Sequence, residues 1–186
     1  MCWYKPGLKR IAALLSGMAL VAGWPACKSD VKETGQSLKY FDISEYFTKD
    51  AIRLTKENRM VFKTVIHNRD TESRKVHIAD WGLELSLFKE ADINRPAWKN
   101  SYKVIDEDST LIYMAKYPEL KMREMIVKKG KGKIKWILIY NKTKNILYQS
   151  TEKLSYFPDS LYSIKKDQRV RLTRNNRYSI QGVLER

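Results

Sequence analysis

The spacing of apolar and polar positions changes character several times along this chain. Residues 11–24 do not alternate at all. Ile11-Ala-Ala-Leu-Leu-Ser-Gly-Met-Ala-Leu-Val-Ala-Gly-Trp24 is an apolar run that follows Lys5, Lys9 and Arg10 and leads into Pro25-Ala26-Cys27. A basic head, a short apolar body and a small residue ahead of a cut are the parts of a secretory signal peptide. The run falls short of the roughly 20 apolar residues that a spanning helix needs. Three fates stay open: removal with lipid added to Cys27, removal without lipid, and retention as an anchor. Ordinary cleavage after Ala26 is poorly served by Trp24, because that cut wants a small residue three places back.

Residues 28–39 are polar, with Gly35 and no apolar period, and read as a tether. The helical period begins after Phe41. Ile43, Phe47, Ala51 and Leu54 recur at spacings of four, four and three, with Asp42 or Ser44 as cap, which predicts a helix over about 43–57. In residues 60–78, Met60–Ile66 and Arg74–Ile78 are rich in β-branched residues around a polar stretch at 68–72. A hairpin is the preferred reading, with a prolonged first helix as its competitor, since Leu54, Val61 and Val65 also fit a helical spacing. A second helix starts at the cap Asp80. Trp81, Leu85 and Phe88 form its stripe, Leu83, Leu87 and Ala91 widen it, and Asn94-Arg95-Pro96 ends it.

From Trp98 onward the period is two. Candidate strands are 102–106, 110–116, 120–128, 133–140, 145–156, 161–172 and 177–184, separated by turn residues such as Lys129-Gly-Lys-Gly132 and Phe157-Pro-Asp159. Short joints favour pairing in sequence order. Strand 133–140 carries Trp136, Leu138 and Tyr140 on one face and Ile137 and Ile139 on the other, so it is expected to be central and covered on both sides. Trp136 and Trp81 are expected to join the sheet to the second helix. Strand 161–172 alternates cleanly and should leave Lys165, Asp167, Arg169 and Arg171 to water. The expected fold class is α+β: N-terminal helices packed on a curved antiparallel sheet, a meander of about seven strands. The expected division is a signal over 1–26, a tether over 27–40 and one domain over 41–186, a size that needs no disulfide staple.

Charge narrows the partners. The net charge is +15, and loss of the three basic residues of the signal leaves +12. That balance favours anionic lipid, an acidic glycan or an acidic envelope protein, and export argues against nucleic acid. Lys129, Lys131 and Lys133 crowd one predicted hairpin, and Arg169, Arg171, Arg174 and Arg177 another. Guanidinium forks suit phosphate and carboxylate groups, yet charge on edge strands also discourages sheet-to-sheet pairing. Candidate chemistry is sparse. His67 and His77 are the only histidines, too few for a typical zinc site. Glu84 and Asp92 lie about 12 Å apart along a helix, too far for a glycosidase pair. Asp106-Glu107-Asp108 lacks the glycine and closing glutamate of a calcium loop. The sequon at Asn141 and the glycines 130 and 132 read as turn chemistry. The sequence contains no phosphate-binding glycine loop and no nucleophile elbow, so no catalytic residue, cofactor or metal ligand is assigned.

The place of Cys27 directly after a small residue resembles the end of a bacterial lipoprotein signal, although Trp24 and Pro25 depart from the usual pattern. Together with the tether, the capped first helix, Trp-x-x-Glu-Leu at 81–85 and the antiparallel tail, it resembles uncharacterised lipoproteins of the Bacteroidota. The resemblance implies fatty acyl groups such as palmitate on Cys27 and an outer-membrane, cell-envelope location. It implies a non-catalytic binding or scaffolding module. Helices held by an antiparallel sheet are also similar in architecture to periplasmic carriers of lipoproteins. That likeness implies the alternative, a lipid or lipoprotein carrier with an apolar cavity between sheet and helices.

Overall fold

Helix α1 spans Ile43–Glu57, where the spacing placed it. Asp42 caps it: Oδ1 accepts from the Glu45 amide at 2.8 Å, satisfying one of the amides that a helix start leaves without a partner. Asn58 closes it in the left-handed region at φ 46°, a conformation asparagine adopts more readily than most residues. Ile43, Phe47, Ala51 and Leu54 are all buried. The computed structural model describes residues 38–171 and 175–185. The signal read over 1–26, the lipid attachment expected at Cys27 and residues 28–37 of the expected tether lie outside them, as does Arg174. Tyr40 already belongs to the folded part: it is buried, and its hydroxyl donates to the carbonyl of Lys99 at 2.8 Å.

The polypeptide then turns back as a hairpin and does not prolong α1. Strands β1 (Met60–His67) and β2 (Asp70–His77) are joined by Asn68 and Arg69 alone, so the turn is tighter than the polar stretch 68–72 suggested. Asn68 supplies the positive φ, 57°, that this turn needs. The two histidines stand at opposite ends of β2's ladder, His67 facing Asp70 and His77 facing Met60. Seven residue steps separate them along the hairpin, roughly 23 Å at strand rise, which rules out a shared metal.

The second helical segment is broken in two. α2 (Trp81–Glu84) is capped by Asp80, and α3 (Ser86–Lys89) follows after Leu85 departs from helical dihedrals at φ −96°, ψ 9°. The stripe survives the break, because Trp81, Leu85, Phe88 and Ala91 are all buried. Leu83 is a correction: it is 72% exposed, since residues i and i+2 do not share a helix face.

Seven strands complete the chain: β3 (Tyr102–Glu107), β4 (Thr110–Ala115), β5 (Met122–Gly130), β6 (Lys133–Lys144), β7 (Tyr148–Phe157), β8 (Leu161–Val170) and β9 (Asn176–Leu184). They pair in sequence order. The sheet nevertheless has nine strands and not about seven, because the hairpin joins it through β1 beside β9, in the order β2-β1-β9-β8-β7-β6-β5-β4-β3. Every pairing is antiparallel, and β2 and β3 are the edges. The turn at Lys131-Gly132 has both φ positive, the type I′ form of a two-residue hairpin loop. β6 runs four residues further than expected, so Asn141 sits buried within a strand and not in a turn.

The helices cover one face of this sheet. Phe47 and Phe88 meet the ring of Tyr156 with centroids at 5.0 and 5.8 Å, Trp81 meets Tyr162 at 5.9 Å, and Tyr40 bridges Tyr102 and Tyr113 at 5.8 Å each. Ile137, Ile139, Leu154 and Ile164 fill the space between these rings. On β6 it is therefore Ile137 and Ile139 that meet the core. Trp136, Leu138 and Tyr140 stand half-buried on the other side, so Trp136 does not join the sheet to the second helix, whereas Trp81 does. Strand β8 keeps the expected faces, with Tyr162 and Ile164 buried and Lys165, Asp167 and Arg169 exposed.

Candidate functional site

The described residues hold two kinds of polar cluster, one tying the fold together and one open to solvent. The first kind is centred on carboxylates that are buried or nearly so. Glu84 accepts from Tyr162 Oη at 2.6 Å and from Lys63 Nζ at 2.7 Å, pinning α2 to β8 and β1. Burial first, then the Glu84 carboxylate, pushes the Tyr162 phenol well above its ordinary pKa, so it remains a donor. Asp50 accepts from Tyr156 Oη and pairs with Arg53, which also reaches Asp159 in the β7–β8 turn at 2.5 Å. Glu152 is buried beside Asn141 Nδ2 at 3.2 Å and Lys166 Nζ at 2.9 Å, with Lys121 Nζ at 3.8 Å. Burial raises its pKa, but the hydrogen bonds from Lys166 and Asn141 and the charge of both lysines outweigh burial and hold it below the ordinary carboxylate value. These carboxylates are occupied as structural acceptors. Asp92, the partner weighed with Glu84, accepts from the Asn94 amide at 3.0 Å and likewise closes a turn.

The open cluster lies at one end of the sheet. There a recess of about 750 Å³ is lined by the β1–β2 turn and the adjoining ends of β7, β8 and β9. Local chemistry places its parts. Asn68 receives the Arg177 amide on Oδ1 at 2.9 Å and gives its own amide to the Arg177 carbonyl at 2.8 Å, locking the turn against the start of β9. That lock holds Arg69 beside the recess. The ladders set Gln149 opposite Arg169, Thr151 opposite Asp167, and Asp167 opposite Arg177. Arg177 Nε donates to Asp167 Oδ1 at 2.9 Å, with both side chains mostly exposed.

The recess therefore holds three guanidinium groups against one carboxylate. Its remaining lining, Asn68, Gln149, Thr151, Gln168, Asn175 and Asn176, is polar and uncharged. Such a site suits a planar or tetrahedral oxyanion held by paired N–H groups. Its exposure makes the attraction strongly dependent on salt.

The structure divides the residues expected to bind anions. Arg169 and Arg177 line the recess, Arg171 lies exposed just beyond β8 with its amide on the Leu147 carbonyl, and Arg174 falls outside the described residues. Lys129, Lys131 and Lys133 surround the β5–β6 turn at the opposite end of the strands. A ten-residue strand such as β7 puts about 33 Å between the two groups. They are separate surfaces. Arg69 was missed, because its proximity to Arg177 depends on β1 pairing with β9 across more than a hundred residues, and no local pattern encodes that.

The space expected to form an apolar cavity under the carrier reading is filled by Ile43, Phe47, Phe88, Tyr156 and Tyr162, each under 2% exposed. A second recess, about 440 Å³ around Ile126, Leu138, Tyr140 and Lys153, opens on the sheet's other face. No helix among the described residues is long and apolar enough to cross a membrane. No protein-family model, curated protein or solved structure matches the chain.

Proposed function

We propose that this protein is a non-catalytic binding module of the cell envelope, tethered through acyl groups on Cys27, that holds an anionic group in the arginine recess. The observation that carries the reading is the convergence of Arg69, Arg169 and Arg177, from three separate parts of the chain, on one polar recess. The +15 net charge and the signal-like first 27 residues support the setting. Acidic headgroups of lipid or glycan have the chemistry that such a recess recognises. The outer membrane is the location that the lipoprotein resemblance implies. The packed interior between helices and sheet lends nothing to the carrier alternative.

Two measurements test this. Cys27→Ser should abolish labelling by a fatty-acid analogue and release the protein from membranes, because several acyl chains hold firmly where one or none does not. Labelling that persists in the variant removes the anchor. For the recess, binding of the Cys27→Ser chain, which has no anchor of its own, to vesicles rich in anionic lipid should fall steeply with salt. Arg169→Gln with Arg177→Gln should weaken it severalfold while leaving the melting temperature nearly unchanged, as surface changes usually do. The control replaces Lys129, Lys131 and Lys133 at the far end. If that control weakens binding as much, the attraction is diffuse and the recess is not a site.

A further inference from the structure

Strand β2 contributes little to packing for its length. Of its eight residues only Val76 is half-buried, and the other seven are exposed. Its register with β1 runs from end to end without a bulge, and no proline interrupts it. Among the described residues it pairs on one side only. Alternation in an antiparallel pair turns the N–H and C=O of every second residue away from the neighbour. β2 therefore presents a straight row of unpaired backbone groups, the template that another strand adds to.

We propose that this edge pairs with β2 of a second copy of the chain, antiparallel, with a two-fold axis at Ser73, so that two nine-stranded sheets become one. Symmetry and charge select this register. An axis normal to the sheet keeps each side chain on its own face. Asp70, Glu72, Arg74 and Val76 share the face of Val65 and Val61, so they can only meet one another. Centring the pair on Glu72 sets that carboxylate against its own copy, and centring it on Arg74 does the same to the guanidinium. Like charges directly opposite destabilise a ladder. Centring on Ser73 sets Glu72 against Arg74 twice and leaves Thr71 facing Lys75 and Asp70 facing Val76. Glu72 and Arg74 are 72% and 69% exposed and lie 3.6 Å apart within one chain, so the pairing closes a ring of four alternating charges. The charges that elsewhere protect an edge here complement their own rotated copy. A single strand pair is smaller than the interface of about 1,200–2,000 Å² that stable complexes use, so the dimer is weak. The proposal stands independently of the arginine recess and of the anchor.

Sedimentation velocity of the full chain in mild detergent, over about 1–100 µM, tests the proposal. The wild type should pass from monomer to dimer as concentration rises. Glu72→Arg and Arg74→Glu should each weaken the dimer about tenfold or more, since each turns two attractive cross-strand pairs repulsive. Two results then follow from the symmetry alone. The double variant Glu72→Arg/Arg74→Glu should recover the dimer, and a mixture of the two single variants should form it although neither does so alone. Thermal unfolding by circular dichroism confirms that each variant is folded, as expected for changes at exposed positions. A monomer at every concentration, a dimer indifferent to the single changes, a species larger than a dimer, or a double variant that fails to recover would each overturn the proposal.

Discussion

The two faces of the sheet are built from the same strands and meet different fates. On the helix face, Tyr156 and Tyr162 are sealed at 1% and 0% exposure beneath Phe47, Phe88 and Trp81. On the outer face, Ile105, Ile112, Ile126 and Leu138 form one row across four strands, and Phe157, Leu161, Val183 and Phe62 another. These rows are only half-covered: Phe62 is 42% and Val183 39% exposed. Among the described residues the outer rows meet only their cross-strand neighbours, whereas the helix face is covered by a second layer. An apolar side chain is thus worth different amounts on the two faces of one strand. Full burial of a large apolar side chain contributes about 1.5–3 kcal/mol, and a half-covered one a fraction of that.

The largest expected effect measures this difference directly. Trp81→Ala should lower stability in urea unfolding by about 3–5 kcal/mol, the usual loss for a large ring in a packed core. Trp136→Ala, on the outer face, should cost about 0.5–2 kcal/mol. Equal losses would mean that the outer face is buried as tightly as the helix face, and the contrast would fail.

A smaller effect probes how closely the helix face is packed. The ring of Tyr162 lies over Gly182, so that a Cβ there would stand 2.2 Å from Tyr162 Cε1. The ring cannot swing aside freely, because it is fully buried and its hydroxyl is held by Glu84. Gly182→Ala should therefore cost about 1–3 kcal/mol through overpacking. The penalty should shrink in a Tyr162→Leu background, the coupling expected of residues in contact. A penalty that is unchanged in that background would place its origin in the backbone and not in the ring.

The smallest effect concerns Glu152, a buried carboxylate on the helix face whose pKa is held below the ordinary value. A group depressed in the folded state contributes stability that is present above its unfolded value, about 4.3. That contribution is lost as pH falls through the folded value. Glu152→Gln should thus flatten the acid limb of the stability–pH curve below about pH 4.5 and leave its shape near neutrality unchanged. Acid limbs that superimpose would show that Lys121 and Lys166 do not favour the charged form.

Local signals were enough for α1, for turns such as Lys129–Gly132, for the seven-strand meander and for the faces of β8, although not for the turn expected at Asn141. In each case the decisive information sits within a few residues: a cap and a period of four, a pair of positive-φ positions, or a clean alternation. Trp81, Leu85 and Phe88 were legible for the same reason, although the break at Leu85 was not. The candidate site was half legible. Arg169 and Arg177 could be named from their crowding, but their separation from Lys129, Lys131 and Lys133 depends on which ends of the strands align.

What the chain could not state locally was which face of β6 would meet the helices, where the hairpin would dock, and that Arg69 would stand beside Arg177. A strand apolar on both faces has a period that is equally satisfied either way, so Ile137 and Trp136 exchange roles at no cost to the pattern. Pairing of β1 with β9 links residues more than a hundred positions apart, and its register follows from the fit of whole surfaces such as Gly182 beneath Tyr162. The sequence by itself determined most of the elements, because those depend on neighbours in the chain. Tertiary structure decided the faces, the ninth-strand neighbour and the site, because those depend on which distant surfaces exclude water together.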